Sequence, residues 1–308
     1  MSEASNRVRP VRNDVEQPGD GFLVLRHQKL KKGGHQAFYE ISRDGVWPWY
    51  ERIGTRIIGQ WQIVYPEGNA PDQDYDEGFR LACYKSEEHW KQTRGGVNIG
   101  LGGDGPNSEK NSKALAERNK FLIGSDGPYF LRGHMTPGGP YHMPGLDEQY
   151  EQVDADTTVG EDEPLPARND VAVPGEGITT LRYWKIQKGG YDQFFQASLE
   201  GVWPFGWKMG TRAIGQWQVI HPGVGETQES ESFDEIIMMT RYASYEHWQA
   251  TRDRAALGGN GPDFKKSEEA LEIRRSLTID SWVKFMKGYL YQSPPVFMPA
   301  LKERYRVV

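Results

Sequence analysis

The chain has 308 residues, 37% apolar and 26% charged, fractions ordinary for a globular protein, and its length fits roughly two domains of common size. A net charge of −6, from 37 Lys+Arg against 43 Asp+Glu, comes without any basic block, so the clustered positive charge of a nucleic-acid footprint is excluded. No apolar run approaches the roughly 20 residues that span a bilayer, residues 1–21 read as no secretory signal, and Cys83 is the only cysteine, which makes the reducing cytoplasm the expected setting.

FLVLRHQKL (22–30) is rich in β-branched and apolar residues and halts at Gly33-Gly34, as a strand does. A helix is predicted from His35, with Phe38, Ile41 and Val46 at helical spacing, a break or kink near Pro48 and a stop at Gly54. TRIIGQWQIVYP (55–66) alternates as a strand, with Ile57, Gly59, Trp61 and Ile63 on one face and Arg56, Ile58, Gln60 and Gln62 on the other. GFRLACYK (78–85) is the third strand. Ser86 then caps a short helix whose first turn carries Glu87 and Glu88, charges that complement the helix dipole. A Gly-rich loop leads to a helix over 108–122, and a last strand is predicted around 128–135. The order β-α-β-β-α-β, with one extra helix, is that of a ferredoxin-like unit.

These elements come twice. NDVEQPGDG (13–21) returns as NDVAVPGEG (169–177), LRHQKLKKGG (25–34) as LRYWKIQKGG (181–190), and DGVWPWYERIGTRIIGQWQIVYP (44–66) as EGVWPFGWKMGTRAIGQWQVIHP (200–222). Arg26 thus matches Arg182, Trp61 matches Trp217, and, after a longer loop, Tyr84 matches Tyr242. Two long copies suit a duplicated domain rather than a solenoid of many short repeats. The halves are expected at 1–152 and 168–308, joined by an acidic, Pro-containing linker at 153–167. A four-stranded sheet with helices on one face needs cover on the other, and the same face of the second copy supplies it. The expected fold is therefore α+β: tandem ferredoxin-like units closing one barrel with pseudo-two-fold symmetry.

Leu25-Arg26, Gly33, Trp47-Pro48, Tyr50-Glu51-Arg52-Ile53-Gly54, Ile58-Gly59-Gln60-Trp61 and Tyr84-Lys85-Ser86, with His89-Trp90 and Arg94, resemble the NIPSNAP family of the dimeric α+β barrel superfamily. The second copy supplies Leu181-Arg182, Gly189, Trp203-Pro204, Ile214-Gly215-Gln216-Trp217 and Tyr242-Ala243-Ser244, with His247-Trp248 and Arg252. The resemblance implies a barrel with a ligand cavity between the sheets. Its superfamily includes cofactor-free monooxygenases, polyketide cyclases, lactone isomerases, lyases and haem enzymes, so the fold does not choose the reaction.

Ten Trp, 15 Tyr and 12 Phe make 12% aromatic residues in a chain of mean hydropathy −0.73. Trp61 and Trp217 on the second strands, and Trp47 and Trp203 at the first helices, are candidates for lining a flat ligand; packing between helix and sheet is the competing reading. Arg26 and Arg182 lie inside strands, where a guanidinium facing a cavity would hold a carboxylate, phenolate or enolate, and where a salt bridge would explain it otherwise. A single active site in a pseudo-symmetric barrel needs asymmetry. The first copy has His27, His35, His134 and His142 where the second has Tyr183, Tyr191, Tyr289 and Phe297. His134 is the first candidate for a general acid or base and His27 the second, with Tyr183 as a donor to an oxyanion and His142 in the ligand site. His35, behind a Gly pair, reads as structural.

No metal-ligand spacing is present, and LGGDGP (101–106) and LGGNGP (257–262) lack the Lys-Ser/Thr of a phosphate loop. The leading expectation is a cofactor-independent enzyme of lyase, isomerase or cyclase type, working by acid/base chemistry on a small aromatic or polycyclic molecule. A non-catalytic binding or scaffold protein, a cofactor-free monooxygenase and a haem-binding barrel are the alternatives. Neither nucleic acid nor membrane is an expected partner, and a homodimer of barrels stays open.

Overall fold

The computed structural model describes residues 22–53, 55–84, 86–94, 105–135, 177–222, 228–242 and 244–290. The expected linker at 153–167 and His142 lie outside the described residues. In the first half, β1 (Phe22–Lys31) leads through α1 (His35–Ile41), a π-helical turn (Ser42–Val46) and α2 (Trp47–Arg52) to β2 (Arg56–Val64) and β3 (Tyr75–Tyr84). Helices α3 (Glu87–Gln92) and α4 (Pro106–Asn119) precede β4 (Leu122–Gly124) and β5 (Tyr129–Met135). The second half repeats the pattern as β6 (Ile178–Gln187), α5 (Tyr191–Ala197), a π-helical turn (Ser198–Val202), α6 (Trp203–Lys208), β7 (Arg212–Ile220) and β8 (Phe233–Tyr242). It ends with α7 (Tyr245–Ala250), α8 (Arg254–Gly258), α9 (Pro262–Leu277) and β9 (Thr278–Leu290).

Within each half the sheet order is last strand, first, third, second. The halves join twice, through β2–β9 and β5–β7, so eight antiparallel strands close in the order β1-β3-β2-β9-β6-β8-β7-β5, with β4 beside β1. Closure removes the unpaired edges that an open sheet would expose. Because equivalent strands run the same way, the pseudo-two-fold axis runs along the barrel, and each end is built from the same segments of both halves.

Two local expectations need correcting. The first helix is broken not at Pro48 but at the π turn before it, where Ser42 Oγ donates to the Phe38 carbonyl at 2.6 Å. Pro48 lies in the first turn of α2, where a missing N–H costs nothing. The alternation of β2 shifts at a bulge between Ile57 and Gly59: Ile57 faces the helices, and Ile58, Trp61 and Ile63 all face the barrel. The last strand of the first half lies where it was expected, as β5, and the short β4 stands apart before it, whereas β9 is continuous. The first half spends one more residue between its pairings Lys29↔Gly124 and Leu25↔Tyr129, and Pro128 has no N–H for the ladder.

The barrel interior is the main core. Leu23, Leu25, Phe79, Leu181, Met239 and Met286 pack there with Trp61 and Trp217, which are both 0% exposed. Each indole sits where the halves meet, and its cross-strand partner is a glycine: Trp61 pairs with Gly288 and Trp217 with Gly133. A Cβ on Gly288 would come within 2.2 Å of the Gln60 carbonyl oxygen, and one on Gly133 within 2.5 Å of that of Gln216. The opposite face of each half-sheet packs on its own helices, around Trp47, Tyr39 and Tyr84 in the first half and Trp203, Phe194 and Trp184 in the second. Among the described residues no helix is long and apolar enough to cross a membrane.

Candidate functional site

Alternation along β6 sends Leu181 and Tyr183 into the barrel and Thr180, Arg182 and Trp184 toward the helices. On that helix side lies a cavity of about 340 Å³. Its floor is the outer face of β6, β7 and β8, with Arg182, Ala213, Met238 and Tyr242; its walls are Trp203 and Trp207 from α6, Trp248 from α7, and Arg274 from α9. Arg252 and Arg254 complete the lining. This cavity lies between sheet and helices, whereas Trp61, Trp217 and their apolar neighbours pack the barrel interior.

The cavity is cationic and aromatic at once. The Arg274 guanidinium lies 4.9 Å from the Trp184 ring centroid and 4.5 Å from that of Phe194. Arg182 lies 5.6 Å from Trp184, and Arg252 lies 4.5 Å from Trp248. Arg254 is bonded to Glu268 and to Ser267 Oγ. Arg274 is 7% exposed, its Nε has no hydrogen-bond partner, and burial together with Arg182 brings its guanidinium down to about 9. Leaving a buried donor or charge uncompensated is costly. No histidine, cysteine or carboxylate lines it among the described residues.

The matching positions of the first half have different contents. Arg26, Arg94 and Arg118 match Arg182, Arg252 and Arg274; Arg80 stands where the second half has Met238, and Tyr50 where it has Gly206. Burial alone would push the Tyr50 phenol up. Arg80, Arg118 and Arg94, with a hydrogen bond to Arg118, outweigh it and bring the phenol down to about 8.

His27 on β1 and its counterpart Tyr183 on β6 each pair with a glutamate. His27 stacks on Phe79 at 4.8 Å, with Nε2 3.0 Å from Glu77 Oε1 and Nδ1 2.6 Å from Asp126 Oδ2. That contact holds the Asp126 carboxyl below its ordinary range. Tyr65 Oη donates to Glu77 at 3.0 Å. At the equivalent place, Tyr183 donates to Glu235 at 2.5 Å and stacks on Trp282 at 5.1 Å, and His221 Nε2 lies 3.4 Å from Glu235. Each half thus centres a glutamate between one imidazole and one phenol, with the two exchanged. Tyr129 lies between these groups, its phenol raised by burial and further by Glu235 and Asp126. The described residues form no group of His, Cys, Asp and Glu arranged to hold a metal ion.

Of the candidates read from sequence, Arg182 and Trp203 line the second-half cavity, and His27 and Tyr183 each pair with a glutamate. Trp61 and Trp217 are interior core, and Trp47 packs edge-on against Tyr39, 5.6 Å between ring centroids. Arg26 belongs to the first-half arginine group. His134 pairs through its backbone with Gln216 on β7; its side chain lies outside the described residues. Arg254, Arg274, Trp184 and Trp207 are not among the site candidates of the sequence reading, and Arg252 enters it only as part of the repeated motif. The recurrence of Arg94 as Arg252 and of Arg118 as Arg274 was the available signal, since a buried charge kept in both copies has no packing reason.

No family model and no curated protein matches the chain. Among solved structures it is similar to a protein proposed to be a monooxygenase from Lactobacillus acidophilus NCFM, at 9% identity and a TM-score of 0.47 over 87% of this chain and 94% of that one. It is also similar to an anthrone oxidase-like protein, at 13% identity and a TM-score of 0.46 over 88% and 92%. A mutant chlorite dismutase from Candidatus Nitrospira defluvii gives 9% identity and a TM-score of 0.37 over 90% and 94%.

Proposed function

We propose that this α+β barrel binds a flat aromatic or polycyclic molecule as its anion in the second-half cavity, and promotes reactions that begin with loss of a proton from that molecule to solvent water, the anion left behind being held by the guanidiniums. The observation that carries this reading is Arg182, Arg252 and Arg274 facing Trp184, Trp203, Trp207 and Trp248 in one cavity. Indole walls suit a planar apolar body, and converging guanidiniums suit a carboxylate, phenolate or enolate. Guanidiniums placed where charge develops lower the cost of forming it, as lyase, isomerase and cyclase chemistry or oxygenation without a cofactor requires. Tyr242 and Thr240 supply hydroxyls beside them. The NIPSNAP-like motifs and a cytoplasmic setting belong to the same reading.

The test is titration with 1-hydroxy-2-naphthoate, read by quenching of tryptophan fluorescence, against uncharged naphthalene. The naphthoate is expected to bind at least about tenfold more tightly, and Arg274→Met to remove that preference. Equal binding of the two probes overturns the reading. The lining without histidine or carboxylate favours a second one, binding without turnover. Bound 2-naphthol whose ionisation is not eased would select it.

A further inference from the structure

We propose that the first half holds a separate site for a compact tetrahedral oxyanion, of the phosphate or sulfate class, held by Arg26, Arg80, Arg94 and Arg118 beside the Tyr50 hydroxyl. Arg26 and Arg80 are directly opposite each other on β1 and β3. Like charges so placed repel, and an enclosed pair repels more than an exposed one. The second half avoids this by pairing Arg182 with Met238. Arg118 reaches the same region from the last turn of α4, its guanidinium 5.2 Å from the Phe38 ring centroid, and Arg94 from the end of α3, 4.6 Å from Trp90. Arg80 lies 5.7 Å from the centroid of Tyr50.

Arg80 is 5% exposed and Arg118 7%. Buried nitrogens without a hydrogen-bond partner are Nε of Arg26, Arg80, Arg94 and Arg118, Nη2 of Arg94 and Nη1 of Arg118. Among the described residues none of the four is paired with a carboxylate. The Tyr50 phenol offers at most one negative charge to four cations, and a dianion would cut the remaining excess from three charges to one. The residues around it differ from those of the second half: Tyr50 stands where that half has Gly206, and Gln28 where Trp184 gives its cavity an indole. What remains is a set of forked donors from four elements, suited to oxygens pointing in several directions and not to a flat ring.

Calorimetric titration of the full chain with inorganic phosphate and with phenyl phosphate tests this. Phosphate is expected to bind one site per chain, and Arg80→Met, which imports the second-half residue, to weaken it about tenfold or more. Arg274→Met should leave phosphate binding unchanged, and Arg80→Met should leave naphthoate binding unchanged, so this site and the aromatic site fail separately. A second readout is the ultraviolet difference absorbance of the Tyr50 phenolate, with Tyr50→Phe as control. A bound dianion neutralises the guanidiniums that hold the phenol down, so saturating phosphate should move its ionisation to higher pH. Binding of phenyl phosphate alone, still lost in Arg80→Met, supports the oxyanion site with a phosphomonoester as its ligand. No binding of either, unchanged binding in Arg80→Met, or an unmoved Tyr50 ionisation overturns it.

Discussion

His35 and Trp217 show what single residues contribute. His35 follows the Gly33-Gly34 turn, is 6% exposed, and has been pushed down to about 4, chiefly by burial. An unfolded histidine takes its proton near 6.5, so between that pH and about 4 the unfolded chain binds a proton that the folded chain refuses. Stability should therefore fall as the pH drops through this window, by about 3 kcal/mol from this group at its lower end. Denaturant midpoints measured from pH 7 to 4 should drop less steeply in His35→Gln than in wild type; parallel curves would refute the assignment. Trp217 is read in the sequence as either core or ligand wall, and the structure puts it wholly in the core. Truncation to Ala should cost about 3–5 kcal/mol in chemical denaturation. Its burial was not legible because periodicity tells which residues share a face, not whether that face closes on itself. The arginine cavity was legible at Arg182 and illegible at Arg254 and Arg274, which sit on helices where a lone cation normally reads as solvent-facing.

The short helices show how elements are pinned. Ser86 Oγ accepts from the His89 N–H at 3.1 Å, and Ser244 Oγ from that of His247 at 3.0 Å. The same two histidines turn their Nε2 atoms to carbonyls of the segments before β2 and β7, His89 to Ile53 at 2.7 Å and His247 to Met209 at 2.8 Å. The cap and the clamp thus tie each helix to the strand entering beneath it. Ser86→Ala should destabilise by about 1 kcal/mol, and Ser244→Ala by a similar amount; an effect in neither, measured by thermal melting, would show that tertiary packing alone holds these helices. The cap was readable from Ser followed by two Glu. The bulge in β2 and the split of β4 from β5 were not, since each depends on the register of a neighbouring strand.

At the scale of the molecule, the duplication was the most legible feature, because glycines, prolines and tryptophans repeat at nearly one offset. What the repeat did not disclose is how tightly the halves are fitted at Gly288 and Gly133. Gly288→Val would drive side-chain atoms into the backbone of Gln60 and Trp61. It should open the β2–β9 junction, at a cost of about 3 kcal/mol or more, seen as accelerated amide exchange of β2 and β9 relative to β6. Unchanged exchange would mean that the junction can yield.

The exchanged imidazole and phenol around Glu77 and Glu235 tie together positions that lie 38 residues apart in the first half, His27 and Tyr65. His27→Tyr alone would set Glu77 between two phenols, and the matched exchange of both residues would copy the second half, so the single change should cost more stability than the double one.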